Sequence, residues 1–335
     1  MQVKREQLSP TTIKLSISAD KPFLDAAKQA VVGKLAQGAK VPGFRPGKAP
    51  ANLVEKQLDP AALQSEFIDQ AINQLYIGAI EQEKLRPAAA PQIALSKFVP
   101  YSTLEFTAEV EVVGDVKLAD YTKIRLAPKK AEVTAKDVAA VLDNLRQRAE
   151  GEAKPKLDDA FASTIGPFKT LAELKADIRK QLKAEKQQEA NRAYENELLQ
   201  KIADKSTVAV PKALVDEEIN RIEDEDKRNT AYRGQTWQEH LDAEGVDAEG
   251  HREKQRPAAE LRVKAGLVLG EIADQEKVTV TPEELDLRIQ LLKGQYPDPA
   301  MQAELDKPEN RRDIMSRLLT EKTLAKLVRY ASAKA

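Results

Sequence analysis

The amino-acid sequence predicts an α+β N-terminal domain followed by an elongated, mostly α-helical C-terminal part, in a multidomain chain. Three observations carry this. Clear period-two alternation of apolar residues is confined to the first 113 residues, around Ile13–Ile17 and Leu104–Val112. From Asp158 onward apolar residues recur at helical spacing, and helix-start signals are frequent. Aromatics make up only 4% of the 335 residues, and all 7 Phe lie at or before Phe168. Large aromatics supply much of the buried area of a compact core. The second half is therefore expected to pack in narrow seams of Leu, Ile, Val and Ala.

Residues 11–18 alternate, with Ile13, Leu15 and Ile17 on one face, and read as a half-buried strand. Asp20 and Pro22 open a helix with Phe23, Ala27, Val31 and Leu35 as its stripe, and Gly38 stops it. A Gly/Pro-rich loop follows, then a short helix over 51–58. A longer helix starts at Asp59-Pro60 and carries Leu63, Phe67, Ala71 and Leu75 to about Lys84. Residues 92–97 and 102–113 read as strands. The second places Leu104, Phe106, Ala108, Val110 and Val112 inward and Glu105, Thr107, Glu109 and Glu111 outward. Residues 114–128 form an extended connector. Thr134 with Asp137 resembles a helix cap, followed by the stripe Val138, Val141, Leu142 and Leu145. Residues 150–157, with Gly151 and Pro155, read as a linker.

The helical part begins at 157–158. Thr170-x-x-Glu173 and Thr236-x-x-Glu239 are capping boxes, in which two side chains satisfy free first-turn amides. Pro211 suits a first turn. A long helix spans about 248–275, where Pro257 predicts a kink or break. Thr281-Pro282-Glu283-Glu284 is a strong helix start, Pro297 and Pro299 break that helix, and a last one covers about 307–330. The expected division is 1–113, 114–156 and 157–335.

The composition excludes several classes of chemistry. Charged residues are 32% with a net charge of −1, and there is no Cys. Disulfides, thiol catalysis and zinc–thiolate sites are therefore absent, as fits a reducing cytoplasm. The first ten residues contain no apolar stretch of a secretory signal. No apolar run approaches the ~20 residues of a membrane span. The 2 histidines, His240 and His251, sit among Glu239, Glu249 and Arg252; a metal site or general base is conceivable there, but solvated helix residues are the better reading. Gly43-x-x-x-Gly47-Lys48-Ala49 resembles a phosphate-binding loop in part. Its glycines are one residue too close, and Ala49 stands where a magnesium-binding hydroxyl is needed. No catalytic residue, metal or cofactor is expected.

The most specific feature is Gly43-Phe44-Arg45-Pro46-Gly47-Lys48-Ala49-Pro50. Pro42, Pro46 and Pro50 remove backbone freedom, and the two glycines permit angles that other residues resist. A stiff surface loop presenting one aromatic ring and one guanidinium implies that something binds it. Residues 28–50 carry Lys28, Lys34, Lys40, Arg45 and Lys48 and no acid. The expected partner is anionic, with an apolar place for Phe44.

This octapeptide resembles the ribosome-docking signature of bacterial trigger factors, G-F-R-x-G-K-x-P. The surrounding order is similar too: an N-terminal strand pair, a helix, the loop, then the long helix containing Phe67. Leu157–Phe161 with Thr170–Leu174, Val210–Val215, and Val278–Leu285 with the C-terminal helix resemble the family's helical domain. The resemblance implies an ATP-independent chaperone in the cytoplasm. It implies docking beside the ribosomal tunnel exit, on a ribosomal protein and adjacent rRNA, and shelter for unfolded nascent chains. Phe44, Arg45 and Pro46 would form the docking core, supported by Gly43, Gly47 and Lys48. Weak homodimerisation is also implied, and membrane binding is not. The family normally carries a prolyl isomerase domain between linker and helical domain. Only eight residues separate Arg148 from Leu157 here, so that domain, and with it enzymatic activity, is not expected. Two alternatives stay open. One is an adaptor for ribosome or RNA whose helices recruit a single partner. The other is an isomerase acting without the usual domain.

Overall fold

The alternating segments form the sheet expected of them. In the computed structural model, which describes residues 1–38, 44, 55, 59–128, 131–148 and 155–332, four strands pair antiparallel in the order β1-β2-β4-β3. They are β1 (Gln2–Ser9), β2 (Thr12–Ser18), β3 (Gln92–Val99) and β4 (Thr103–Glu111). The β2–β4 register sets Ile13 against Val110, Leu15 against Ala108 and Ile17 against Phe106. A slip of one residue would turn the three apolar residues of the slipped strand to water, so the alternation fixes the pairing. Helices α1 (Lys21–Gly38) and α2 (Pro60–Gln82) cover this face. α2 buries Leu63, Phe67, Ala71, Leu75 and Ala79, one per turn, and α1 adds Leu24, Ala27 and Val31.

β1 carries only two aliphatic residues, Val3 and Leu8, and shows no period that marks a strand. It is an edge strand held by main-chain pairing to β2, with charged side chains of the kind that discourage pairing with a further strand.

The rest is helical: a 3-10 turn (Tyr121–Lys123), α3 (Ala135–Arg148), α4 (Asp159–Ile165), α5 (Leu171–Lys205) and α6 (Lys212–Tyr232). Then come α7 (Trp237–Glu244), α8 (Ala248–Gln275), α9 (Pro282–Lys293), α10 (Pro299–Glu304) and α11 (Pro308–Ser332). The capping boxes at Thr236/Glu239 and Thr281/Glu284 close in both directions. At Thr170 only the forward half forms, because Glu173 accepts from the amide of Lys169 at 2.7 Å. α8 runs through Pro257 without a break. Ala259, two residues on, is fully buried against Val215, Ile219 and Ile222, so packing holds the helix where proline removes one hydrogen bond. Pro299 begins a helix as well as following one, since Asp298 Oδ1 caps the amide of Ala300 at 2.9 Å. The short helix expected over 51–58 lies outside the described residues except for Glu55.

By contact the chain forms two compact units, each discontinuous in sequence. One joins Met1–Lys117 to Val208–Lys264, and the other joins Leu118–Thr207 to Ala265–Ala335. The segments 1–113, 114–156 and 157–335 divide the chain along its length instead, and the helical segment contributes to both units. In the first unit, Glu111 of β4 accepts from the amide of Ala213 at 2.9 Å, at the first turn of α6.

In the second unit the segment expected as an extended connector is tied down. Tyr121 and Ile124 are buried. The Tyr121 hydroxyl donates to Glu276 at 2.7 Å, Tyr330 donates to the same carboxylate at 3.0 Å, and Lys326 pairs with it at 2.6 Å. Lys326 first, and then Tyr121, hold the Glu276 carboxyl below its ordinary range, while burial and the neighbouring carboxylate push the Tyr121 hydroxyl up. A depressed carboxyl pKa gives stability that is present above the unfolded value and lost as pH falls through the folded one. Glu276→Gln should therefore cost about 2 kcal/mol at neutral pH, the scale of hydrogen bonds to a charged group. Thermal melts from pH 7 to pH 3 should show the intact chain losing stability more steeply than the variant. Parallel profiles would mean that Glu276 carries no such linkage.

Candidate functional site

The octapeptide lies in sequence between the end of α1 and the start of α2. Both flanks are firmly placed. Val31 and Val32 of α1 are buried in the core, and Asp59 Oδ1 caps α2 by accepting from the amide of Ala61 at 3.1 Å. Of the six residues expected to dock, Phe44 is described and stands 44% exposed. An apolar ring that remains open to water is consistent with a role outside its own core. Gly43, Arg45, Pro46, Gly47 and Lys48 lie outside the described residues.

The charge around the loop differs from the sequence reading. Lys28 pairs with Glu55 at 2.6 Å and stands over the ring of Tyr101 at 4.4 Å. Lys34 pairs with Glu66 at 2.5 Å. A shallow groove of about 400 Å³ beside Lys34 is also lined by Glu66 and Asp69. The acid-free run of 28–50 is thus partly neutralised by residues that arrive from 55 and 66, which local composition does not reveal. The other cations of this run, Lys40, Arg45 and Lys48, lie outside the described residues. Exposed pairs such as Lys34–Glu66 contribute only about 0–1 kcal/mol each, so they shape the field more than they hold the fold.

A second feature lies on α9. Leu285 and Ile289 are buried against Ile314 and Leu318 of α11. Leu287 and Leu291, one turn apart on another face, are 59% and 62% exposed. Tyr296, Met301 and Met315 are further exposed apolar residues of the same unit. A helix apolar on more faces than its neighbours cover has surface to spare. Sequence periodicity picks out Leu285 and Ile289 as readily as Leu287 and Leu291; only packing separates them. In the first unit, Ile93, Leu95 and Val99 of edge strand β3 are likewise exposed. No helix of the described residues is long and apolar enough to cross a membrane.

The histidines depart most from expectation. His251 is only 1% exposed, and its ring packs edge-on to Trp237 at 5.1 Å. It is a core residue of the α7–α8 corner and not a solvated one, because the turn after α7 folds it back under Trp237.

Comparison with known proteins agrees with this architecture. Residues 1–145 match the family described as "Bacterial trigger factor protein (TF)", and residues 170–329 match "Bacterial trigger factor protein (TF) C-terminus". The chain is 24% identical to the trigger factor of Carboxydothermus hydrogenoformans, covering 99% of this chain and 100% of that one. It is 25% identical to the trigger factor of Streptomyces coelicolor, covering 98% and 90%. The first alignment runs over 426 positions against 335 residues, so at least 91 positions are gaps in this chain. A solved trigger factor chaperone, from a study of promiscuous substrate recognition in folding and assembly, superposes with a TM-score of 0.52 at 17% identity, covering 99% of this chain and 100% of that chain.

Proposed function

The chain belongs to the bacterial trigger factor family, and from that premise we propose that it is an ATP-independent, ribosome-associated chaperone that docks at the tunnel exit and shelters nascent polypeptides. The observation that carries this reading is the family match at both ends of the chain together with the octapeptide Gly43–Pro50. Phe44, Arg45 and Pro46 make the contact with a ribosomal protein and adjacent rRNA. Gly43, Gly47 and Lys48 shape and support them. Arg45 offers charge-assisted bonds to carboxylate or phosphate. The exposed ring of Phe44 fills an apolar or stacking site on the partner.

The exposed leucines and methionines of the second unit suit the client side of the task. Many small apolar contacts bind weakly and exchange quickly, whereas one deep pocket would select a single ligand. Release then follows client folding or simple dissociation. The division 1–113, 114–156 and 157–335 enters here as docking domain, linker and chaperone domain. The 24-residue stretch 146–169 between the two matched regions is too short for a prolyl isomerase domain, so the chain works without that activity. The reading also places it in the cytoplasm, off the membrane, with weak self-association when free of the ribosome.

The client role is tested by light scattering of several unrelated unfolded proteins diluted from denaturant without ATP. The intact chain should suppress their aggregation. The double variant Leu287→Ser, Leu291→Ser should retain its melting temperature and need several-fold more protein for the same effect. Suppression confined to one client would identify an adaptor. Unchanged suppression by the variant would remove α9 from the client surface.

A further inference from the structure

The corner between α7 and α8 brings three metal-ligating side chains together from different places in the sequence. His240 and Glu244 are four residues apart on α7, so they share one helix face, and His240 Nε2 lies 3.3 Å from Glu244 Oε1. Gly245 ends α7 in the left-handed region at φ 68°, a conformation that glycine adopts without strain. The chain then turns through Asp247, whose side chain accepts from the amide of Gly250 at 2.8 Å at the start of α8. This turn returns His251 to Glu244, with Nδ1 3.1 Å from Oε2. One donor atom from each of His240, Glu244 and His251 lies within 4.8 Å of the others.

Hydrogen bonding within the cluster depends on which ring nitrogen of His251 carries the proton. Asp226 of α6 places Oδ2 3.5 Å from His251 Nε2, on the side of the ring away from Glu244. With its proton on Nδ1 a neutral imidazole donates to Glu244; with its proton on Nε2, toward Asp226, it turns the lone pair of Nδ1 toward that carboxylate oxygen. In the second tautomer two acceptors face each other, and a cation between them holds both. The buried Nε2 atoms of His240 and His251 have no hydrogen-bond partner among the described residues. The Lys254 ammonium is occupied on the backbone oxygen of Glu244 at 3.2 Å, and Lys227 pairs with Glu223 at 2.6 Å, so neither lysine fills the place.

We propose that His240, Glu244 and His251 form a binding site for a divalent transition-metal ion, zinc by preference, with Asp226 as the carboxylate that orients His251. Two imidazole nitrogens and one carboxylate are the ligand set of open zinc sites, with the fourth position left for water. Nickel and copper accept the same donors, whereas magnesium and calcium prefer oxygen. Ligands about 2.1 Å from a tetrahedral ion lie about 3.4 Å apart, so small side-chain rotations close the site. A carboxylate behind a metal-bound histidine fixes which ring nitrogen faces the metal, the arrangement that Asp226 offers. The ion would clamp the end of α7 to the first turn of α8.

The site carries its own reporter. Trp237 is the only tryptophan, and its ring stacks on His240 at 5.1 Å and meets His251 edge-on at the same distance. The test is titration of the intact, untagged, chelator-treated chain with zinc chloride, read by Trp237 fluorescence and by calorimetry. Cobalt chloride is used in parallel for the visible spectrum of a tetrahedral ion. The expected result is one ion per chain, a saturable fluorescence change, a tetrahedral cobalt spectrum and no response to magnesium. His240 is only partly buried, so His240→Gln should fold as before, checked by circular dichroism, and weaken binding at least tenfold. Asp226→Asn should weaken it by about tenfold, the scale of such outer partners. Substoichiometric uptake by the intact chain, or equal uptake by the folded His240→Gln variant, would overturn the proposal and leave a proton shared between His251 and Glu244 as the cation.

Discussion

The intact chain pellets with bacterial ribosomes at low salt, and the triple variant Phe44→Ala, Arg45→Ala, Pro46→Ala stays in the supernatant with an unchanged melting temperature. That is the expected result with the largest functional effect. Truncating Phe44 removes the burial of a large ring, about 1.5–3 kcal/mol if the partner covers it fully. Truncating Arg45 removes charge-assisted bonds of about 1.5–3 kcal/mol. Even the lower ends together give about 3 kcal/mol, or roughly a hundredfold in affinity. The melting temperature should hold because Phe44 is exposed and takes no part in the N-terminal core.

Salt dependence adds a second, independent number. Lys28 and Lys34 are paired with Glu55 and Glu66, and the proposed dock takes its phosphate contacts from the other cations of 28–50, Lys40, Arg45 and Lys48. Three released counterions weaken binding by roughly 20- to 40-fold between about 50 and 200 mM salt. A much steeper fall would mean that cations beyond these three take part. If the triple variant pellets as well as the intact chain, the loop is not the dock.

What the sequence disclosed depends on whether the signal was local. Period-two alternation in β2 and β4 and four-residue spacing in α2 were legible because each element buries one face against one layer. The capping boxes of α7 and α9 were legible because cap chemistry lies within four residues. β1 was not legible in its own pattern and entered only with the strand pair of the family resemblance, since an edge strand made of polar residues is defined by its neighbour's hydrogen bonds. The same limit explains the site. The octapeptide stands out as a string, but the neutralisation of Lys28 and Lys34 comes from acids beyond the loop. His251 read as solvated because its sequence neighbours are charged. Its burial arises from Trp237, fourteen positions earlier, and from Asp226 on another helix. The anchoring of Tyr121 by Glu276 spans 155 positions and leaves no local trace.

Phe67→Ala should produce the largest loss of stability, and its effect on docking separates structure from contact. Phe67 is completely buried at the centre of α2, meeting Tyr101 edge-on at 5.0 Å and Phe98 at 6.5 Å. Removing such a ring from a close-packed core costs about 3–5 kcal/mol, because lost transfer energy and an unfilled cavity add. Phe67 lies in the compact unit of Met1–Lys117 and Val208–Lys264, and for a unit of that size each kcal/mol is worth about 2–4 °C, so it should melt at least roughly 6 °C earlier. Phe67→Leu keeps most of the volume and should lose less than half as much. α1 and α2 flank the segment proposed to dock, so ribosome binding by Phe67→Ala should be near normal in the cold and vanish as the domain melts. The triple loop variant should fail to bind at every temperature. Binding by Phe67→Ala that survives above its own melting transition would mean that the loop docks without the core that carries it. A loss already complete in the cold, with the fold intact, would mean that Phe67 sets the loop's geometry directly through α2.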